Sequence, residues 1–423
     1  MLFRPITSFA AVLLCSSLSS AFLMRMMRLT TTAAAFRPPG CSNLNHKSKR
    51  MLSRSVIRLF SSAVPAQEDD EQQQLIHPQD HFGKIPYPKA LSPSKVMTFK
   101  QCPQAFLFQY LYNMTQPTTL AMVKGTMCHA ALEQLFDLDP NDRTPDNLHN
   151  LLRRAWSQER HSDKYAPLFE NEHDGSRDLD RETEWGKSAL QLLDNYFQVE
   201  DPRAITRPNP LQREVWVNAH LTVDPSLGVT ASGSRKERSI NDKDAAPPTF
   251  HVRGIIDRLD MVRQPSSSGG GSSAVATRIV DYKTGKSPNL KYSPAMNQKI
   301  MEEAFYQLKV YALLLREKQG SSVVGQSSQS QSQSLDYRWL RLLHLTSASG
   351  KAQHLDFDLG ATQEERDAAL QEVHQDLSQV WNSIIELVDT QDPRAFVGCN
   401  RSFCSCHECR AQFVPGTVWE PSS

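Results

Sequence analysis

Residues 250–262 read FHVRGIIDRLDMV and residues 277–285 read TRIVDYKTG. Both runs are apolar and rich in β-branched residues, and polar segments bound them, which is the composition of strands. The connection between them, QPSSSGGGSSAVAT at 264–277, is a flexible linker that makes the pair a hairpin-like antiparallel unit. Side chains two apart on a strand share a face, so Asp281 and Lys283 aim into one site. Asp257 sits near the end of the preceding strand, where an antiparallel neighbour places it beside Asp281. Two carboxylates on adjacent strands form a hard oxygen-donor site for Mg²⁺ or Mn²⁺. Without a cation the two charges repel and shift each other's pKa. Lys283 would then orient a metal-activated water or stabilise charge developing in a transition state. An Asp-x-Lys triplet alone is more often a surface ion pair, so its surroundings carry the weight.

Outward from this hairpin, REVWVNAHLTV (213–223) alternates as a strand does, and LDYRWLRLLHLTS (335–347) supplies a fourth. LSPSKVMTFKQCPQAFLFQYLYNM (91–114) opens on a Ser-Pro-Ser turn and reads as a helix broken near Pro103. GTMCHAALEQLFDL (125–138) is helical, with Gly125 and Thr126 at its start; residues 145–200 hold further helices. MEEAFYQLKVYALLLREKQ (301–319) and residues 362–389 complete the helical set. A polar insertion at 224–248 and a low-complexity run at 321–334 fall between elements, where surface loops belong. The order of helix, three-strand meander, helix, strand and helix predicts a mixed α/β domain. His129 and Glu133 share one face of their helix, and Gln307 and Tyr311 share one face of theirs.

Taken in order, LSPSKVMTFKQCPQAFLFQYL, GTMCHAALEQLF, GIIDRLD, IVDYKTGK and QLKVYALLL resemble the successive motifs of the RecB-type branch of the PD-(D/E)XK nucleases, over about residues 91–410. The resemblance implies a restriction-endonuclease-like core, with a mixed β-sheet flanked by helices. It implies His129, Asp257 and Asp281 as metal ligands, with the carbonyl of Ile279 or Val280 as a backbone ligand. It implies Lys283 as the catalytic lysine, and Gln307 and Tyr311 as residues that line the site and contact substrate or order Lys283. Glu133 fits a helix-surface charge equally well, and Asp260 and Glu214 are read as structural. The implied activity is metal-dependent hydrolysis of DNA, as an exonuclease on single strands or duplex ends. No Walker-type phosphate loop is present, so unwinding falls to a helicase partner. The competing class is a silent nucleic-acid-binding or scaffold module of the same fold; the intact His, Asp, Asp and Lys set favours the enzyme.

Four of the eight cysteines crowd CNRSFCSCHEC at 399–409, and Cys102 occupies a Cys-Pro step far upstream. Crowding at one end reads as a metal or cluster site, unlike the spread of a disulfide scaffold. In a subset of RecB-type nucleases, a cysteine in this Cys-Pro context joins three C-terminal ones around a [4Fe–4S] cluster. Here the C-terminal gaps are four, one and two residues, where that subset uses two and about five. Which three of Cys399, Cys404, Cys406 and Cys409 take part, and whether the metal is iron, therefore stay open. Zn²⁺ held by those four alone is the alternative, and free thiols are the third reading.

The net charge of +1 conceals an asymmetry: residues 1–67 hold nine Lys or Arg and no acid. Removing those nine from 47 leaves 38 basic against 46 acidic residues, a balance of −8 for the remainder. The body therefore contacts nucleic acid through a local groove, not through overall charge. Lys95, Lys100, Lys124, Arg253, Arg258, Lys286 and Lys291 lie near motif ends and are candidates for a phosphate track; Tyr292 and Phe305 suit core packing better than base stacking. The N-terminus pairs a short apolar core ending in small residues with an Arg-, Ser- and Thr-rich stretch, which is targeting grammar. Ser-Ser-Ala-Phe at 19–22 resembles the cleavage junction of two-part plastid presequences, with a mitochondrial presequence as the alternative. The expected organisation is a disordered targeting segment at 1–80, a nuclease domain at 91–410 and a tail at 411–423. No membrane-spanning helix is expected beyond the N-terminus.

Overall fold

The computed structural model describes residues 83–114, 117–171, 173–205, 209–224, 248–263, 275–323, 336–402 and 404–410. The targeting segment, the C-terminal tail, the low-complexity run from 324 and nearly all of the 224–248 insertion and 264–277 linker lie outside these residues. The architecture is α/β, a five-stranded mixed sheet flanked by helices. Among the described residues no helix is long and apolar enough to cross a membrane.

The sheet runs β1 (Gln212–Thr222), β2 (Thr249–Arg263), β3 (Val275–Lys286), β4 (Tyr337–Thr346) and β5 (Gln353–Asp358), in that spatial order. The β1–β2, β2–β3 and β4–β5 pairs are antiparallel, and β3–β4 is parallel. A parallel neighbour needs a crossover, which here includes a long helix between β3 and β4. The sequence reading contained four strands and missed β5. That strand is six residues long with only two apolar side chains, Leu355 and Phe357. Tertiary pairing holds it: Asp356 and Asp358 ion-pair with Arg341 and Arg338 of β4 at 2.6 and 2.5 Å.

The helices are α1 (Pro93–Gln101), α2 (Pro103–Phe106), α3 (Leu120–Leu135), α4 (Pro145–Glu159), α5 (Leu179–Tyr196), α6 (Pro294–Val323), α7 (Gln363–Asp389) and α8 (Ser405–Arg410). A single π-helical turn, Leu107–Leu111, follows α2. Helix α3 starts five residues before the expected Gly125. The Thr119 hydroxyl caps it by accepting from the Met122 N–H at 3.2 Å, so Gly125 and Thr126 lie inside the helix. Gly125 stands over β3, where a Cβ would touch Thr284 Oγ1 at 3.4 Å.

The alternation of β3 divides two layers. Val280 and Tyr282, with Leu343 and Leu345 of β4, join the core built by α3, α4 and α5. The odd positions, Asp281 and Lys283, face α6 instead, where Gln307 meets both. The chain comprises two compact units by contact density. One contains Lys89–Val96 and the described parts of Thr118–Asn382; the other contains 83–88 and the described parts of Met97–Pro117 and Ser383–Ser423.

Between α4 and α5 a polar knot ties the helical layer together. Glu182 accepts from Trp156 Nε1 at 2.6 Å, from Arg160 at 3.0 and 2.7 Å, and from Arg177 Nε at 2.6 Å. The Arg177 guanidinium, with Arg160 and Trp156, outweighs partial burial and holds the Glu182 carboxyl down at about 2. A depressed carboxyl stabilises the fold fully above its ordinary pKa, near 4.5, and loses that contribution as pH falls toward 2. Urea midpoints taken between pH 6 and pH 3 should fall in this window, and Glu182→Gln should be less stable at pH 6 with a flatter profile. A variant whose profile parallels the parent's would remove Glu182 from the acid response.

Candidate active site

The β2–β3 register Arg258↔Val280 carries Asp257 to the place opposite Asp281. There Asp257 Oδ2 accepts from the Tyr282 backbone N–H at 2.8 Å, so a side chain satisfies a strand donor at the end of the ladder. His129 reaches in from α3, its Nδ1 3.4 Å from Asp257 Oδ2. Lys283 Nζ lies 2.7 Å from Asp281 Oδ2 and donates to Gln307 Oε1 at 2.9 Å. Gln307 Nε2 donates to Asp281 Oδ1 at 3.0 Å and to the Tyr311 hydroxyl at 2.9 Å. The structure thus brings together all six residues named from sequence: His129, Asp257, Asp281, Lys283, Gln307 and Tyr311. Asp257 and Asp281 are 4% and 1% exposed, so the site is inside the protein.

Burial and neighbouring charges shift three groups of the site. Burial raises the Asp281 carboxyl to about 6, assisted by the Asp257 charge and opposed by Lys283. Burial acts the same way on Asp257, but His129 and the Tyr282 N–H hold that carboxyl below its ordinary value. Burial disfavours the His129 imidazolium, yet Asp257, Asp281 and Glu214 outweigh it and raise the imidazole to about 9. The two carboxylates are therefore driven apart, as closely spaced like charges are. Asp257 Oδ1 is buried without a hydrogen bond, while Asp281 Oδ2 is met by Lys283 and His129 Nδ1 faces Asp257 Oδ2. Orphaned buried acceptors are costly. Two carboxylates and an imidazole, the last once it gives up its proton, are donors of the kind that suit a divalent metal ion, and Asp257 Oδ1 has a lone pair to offer.

Two backbone features serve the site. Gly254 of β2 is covered by the Tyr311 ring, and a Cβ there would overlap it. Gly254→Ala should therefore displace Tyr311 and its bond to Gln307, at a cost of about 1–3 kcal/mol, the usual penalty for overpacking. Thermal unfolding checks it: an unchanged midpoint would mean that the ring moves aside freely. Glu214, read from sequence as structural, occupies the β1 position between the pairs Arg213↔Arg258 and Val215↔Ile256, across from Asp257. Its φ is +46°, a left-handed conformation that costs a residue with a side chain on the order of 1–3 kcal/mol and concentrates at functional sites. An acidic residue in an alternating strand resembles any solvent-facing one, so only the register points to it.

Other expectations need correction. Arg258 is fully buried and is no part of a phosphate track. Lys95 donates to the Ala90 carbonyl at 2.9 Å, and burial with the nearby Arg253 lowers its ammonium to about 8. Phe305 is buried, as core packing required, while Tyr292 is 45% exposed.

A second cluster lies in the other unit. The Sγ atoms of Cys102, Cys399, Cys404 and Cys406 are all within 4.8 Å of one another, a group able to hold a metal. Cys102 caps α2, its sulfur accepting from the Ala105 N–H at 3.4 Å. The side chain of Cys409 lies outside the described residues. This set takes one cysteine from the Cys-Pro step and three from the C-terminus, unlike the alternative of four C-terminal cysteines. Cys128 is buried, contacts the Ala189 carbonyl and is not one of this group.

A family model described as the PD-(D/E)XK nuclease superfamily matches residues 90–413. No curated protein matches the chain.

Proposed function

Because the chain belongs to the PD-(D/E)XK nuclease superfamily, we propose that it is a Mg²⁺-dependent deoxyribonuclease of the RecB type, an exonuclease acting on single-stranded DNA or duplex ends. One observation carries this reading: Asp257 and Asp281 face each other across β2 and β3, with His129 against the first and the Lys283 ammonium against the second. His129, Asp257 and Asp281 would hold a divalent ion, which would supply Lewis-acid polarisation of the phosphodiester and acidify a water for attack.

The chain's own residues do the positioning. Gln307 holds Lys283 through one amide atom and Asp281 through the other, so the lysine is fixed relative to the ligand set. Tyr311 anchors Gln307 from the next turn of α6. Lys283, 17% exposed, is the cation best placed to orient the attacking water or meet negative charge developing on the phosphate. A preorganised ammonium at a buried site loses little in reorganisation when charge develops.

The acid-free N-terminus supports import into an organelle, the plastid first and the mitochondrion second, with a role in DNA repair or recombination beside a helicase partner. The cysteine group supports a structural thiolate centre. Two bound groups meet that donor set, a [4Fe–4S] cluster and a single Zn²⁺ ion.

The reading is tested on full-length protein with end-labelled single- and double-stranded DNA. Shortening from an end is expected with Mg²⁺ or Mn²⁺. Activity should vanish on chelation and return on adding back the ion. Binding of DNA without cleavage under every metal condition would leave a scaffold module of the same fold.

A further inference from the structure

We propose that the segment joining β3 to α6 is a landing site for single-stranded DNA, with Tyr292 as the surface on which a base stacks and Lys286, Lys291 and Lys299 as its phosphate contacts. This rests on the nuclease reading above and narrows it to a strand whose bases are open. Charge is the first ground. From Thr284 to Met301 the chain contains those three lysines and no acidic residue, although acidic residues outnumber basic ones in the body as a whole. All three lysines are exposed. Acid returns at Glu302 and Glu303, and Lys309 engages the first of them. An acid-free run of exposed cations in an acidic body complements a phosphate backbone locally, as overall charge does not.

The second ground is how the turn presents Tyr292. Ser293 caps α6, its hydroxyl accepting from the Met296 N–H at 3.4 Å. An apolar residue just ahead of such a cap often packs on the residue five places on and closes the helix start. Here that place is taken by Asn297, which grips the backbone instead. Its Oδ1 accepts from the Tyr292 N–H at 3.2 Å, and its Nδ2 donates to the carbonyls of Leu290 and Tyr292 at 2.8 and 3.1 Å. Asn289 Oδ1 accepts from the Lys291 N–H at 3.1 Å. The turn is thus fixed by its backbone, while the Tyr292 ring is 45% exposed and Met296, in the first turn of α6, is 48% exposed. An aromatic ring on a turn held in this way loses little freedom when a base stacks on it. A duplex keeps its bases stacked on one another, so the ring selects unpaired ones.

Position is the third ground. The segment leaves the strand that carries Lys283 and enters the helix that carries Gln307, so both of its ends are tied to the carboxylate site. Lys286 ends β3, three residues past Lys283, which is about 10 Å along a strand. From Pro294 to Gln307, the residue that holds Lys283, α6 rises about 20 Å. A single strand at about 3.4 Å per nucleotide when stacked, and roughly twice that when drawn out, covers this distance in about three to six nucleotides. Tyr292 would therefore hold the strand a few nucleotides from the phosphate that meets Lys283.

The test measures binding apart from cutting. Full-length protein, with no divalent ion added, is titrated into a labelled thymidine oligonucleotide longer than this span and into a duplex of equal length, and fluorescence anisotropy is read. Tyr292→Ala should weaken single-strand binding about 5–150-fold, the loss typical of one stacked base, and leave duplex binding within about twofold. Tyr292→Trp should bind the single strand as the parent does. Asn297 holds the backbone of this turn and not the ring, so both variants keep the fold. Lys291→Gln should lower the slope of log affinity against log salt by about 0.7, the share of one single-strand phosphate. Equal single-strand affinity in Tyr292→Ala and the parent overturns the proposal. So does an equal loss on the duplex, a Tyr292→Trp variant as weak as Tyr292→Ala, or an unchanged salt slope in Lys291→Gln. A chain that binds as expected yet never cuts would fail the nuclease reading alone. A chain that cuts, with Tyr292→Ala binding as tightly as the parent, would fail this proposal alone.

Discussion

Lys283→Ala should lower the turnover number by about 10²–10³, the usual loss when one preorganised donor to a developing anion is removed. Asp281→Ala should lose at least as much, because it also deletes a proposed metal ligand. Both variants should stay folded, and the reason is electrostatic. Asp281 is a buried carboxylate facing a second one, and burial holds its carboxyl at about 6. Removing it relieves repulsion in the metal-free protein. Asp281→Ala should therefore unfold at a urea concentration no lower than the parent's, apart from the small cavity it leaves. Activity lost with stability kept is the signature of a residue whose cost to the fold serves chemistry. Single-turnover rates at saturating Mg²⁺, beside urea midpoints, check both halves. Undiminished cleavage in the two variants would dismiss the nuclease assignment.

The largest effect on stability is expected one residue from Asp257. Arg258 is fully buried and donates to Glu200 at 2.7 and 2.8 Å, to Asp260 at 2.9 Å and to the Tyr282 hydroxyl at 2.8 Å. Its guanidinium lies 5.2 Å from the centre of the Phe136 ring. Burial works to raise the Glu200 carboxyl, but Arg258 overrides it and holds that carboxyl at about 2. Arg258→Met would leave Glu200 and Asp260 buried without this partner, although Arg278 still meets Asp260 at 3.0 Å. Breaking a buried charge network on one side costs about 3–5 kcal/mol, and that loss is expected in urea unfolding. Replacing Arg258, Glu200 and Asp260 together by Met, Gln and Asn should recover part of it, because no buried charge is then stranded. Arg258→Lys should fall between, since an ammonium cannot form the bidentate bond to Glu200. A loss below about 1 kcal/mol in Arg258→Met would mean that water, not the guanidinium, satisfies these carboxylates.

This network also explains why some charges resist reading in one dimension. In GIIDRLD, Asp257, Arg258 and Asp260 stand in a row, and strand alternation sends Asp257 to one face and Arg258 to the other. Alternation cannot say which face is wet. Arg258 reads in sequence as a phosphate contact, but α3 and α5 close over that side, with Glu200 supplied from just beyond α5. Gln307 and Tyr311 were placed together correctly, since a spacing of four residues on a helix fixes a shared face. That their face meets Asp281 and Lys283 depends on how α6 lies against β3.

Local rules of period and spacing were enough for the strand identities of β1 to β4, the shared face of Asp281 and Lys283, and the pairing of Asp257 with Asp281. Those rules act over two to four residues, and the chain obeys them before it packs. Three things waited for the fold: β5, held by arginines of its neighbour; the left-handed Glu214 opposite Asp257; and the meeting of Cys102 with C-terminal cysteines. Each joins groups whose separation in sequence says nothing of their distance in space. Register, crossover and packing set that distance, and they belong to the whole sheet and its covering helices.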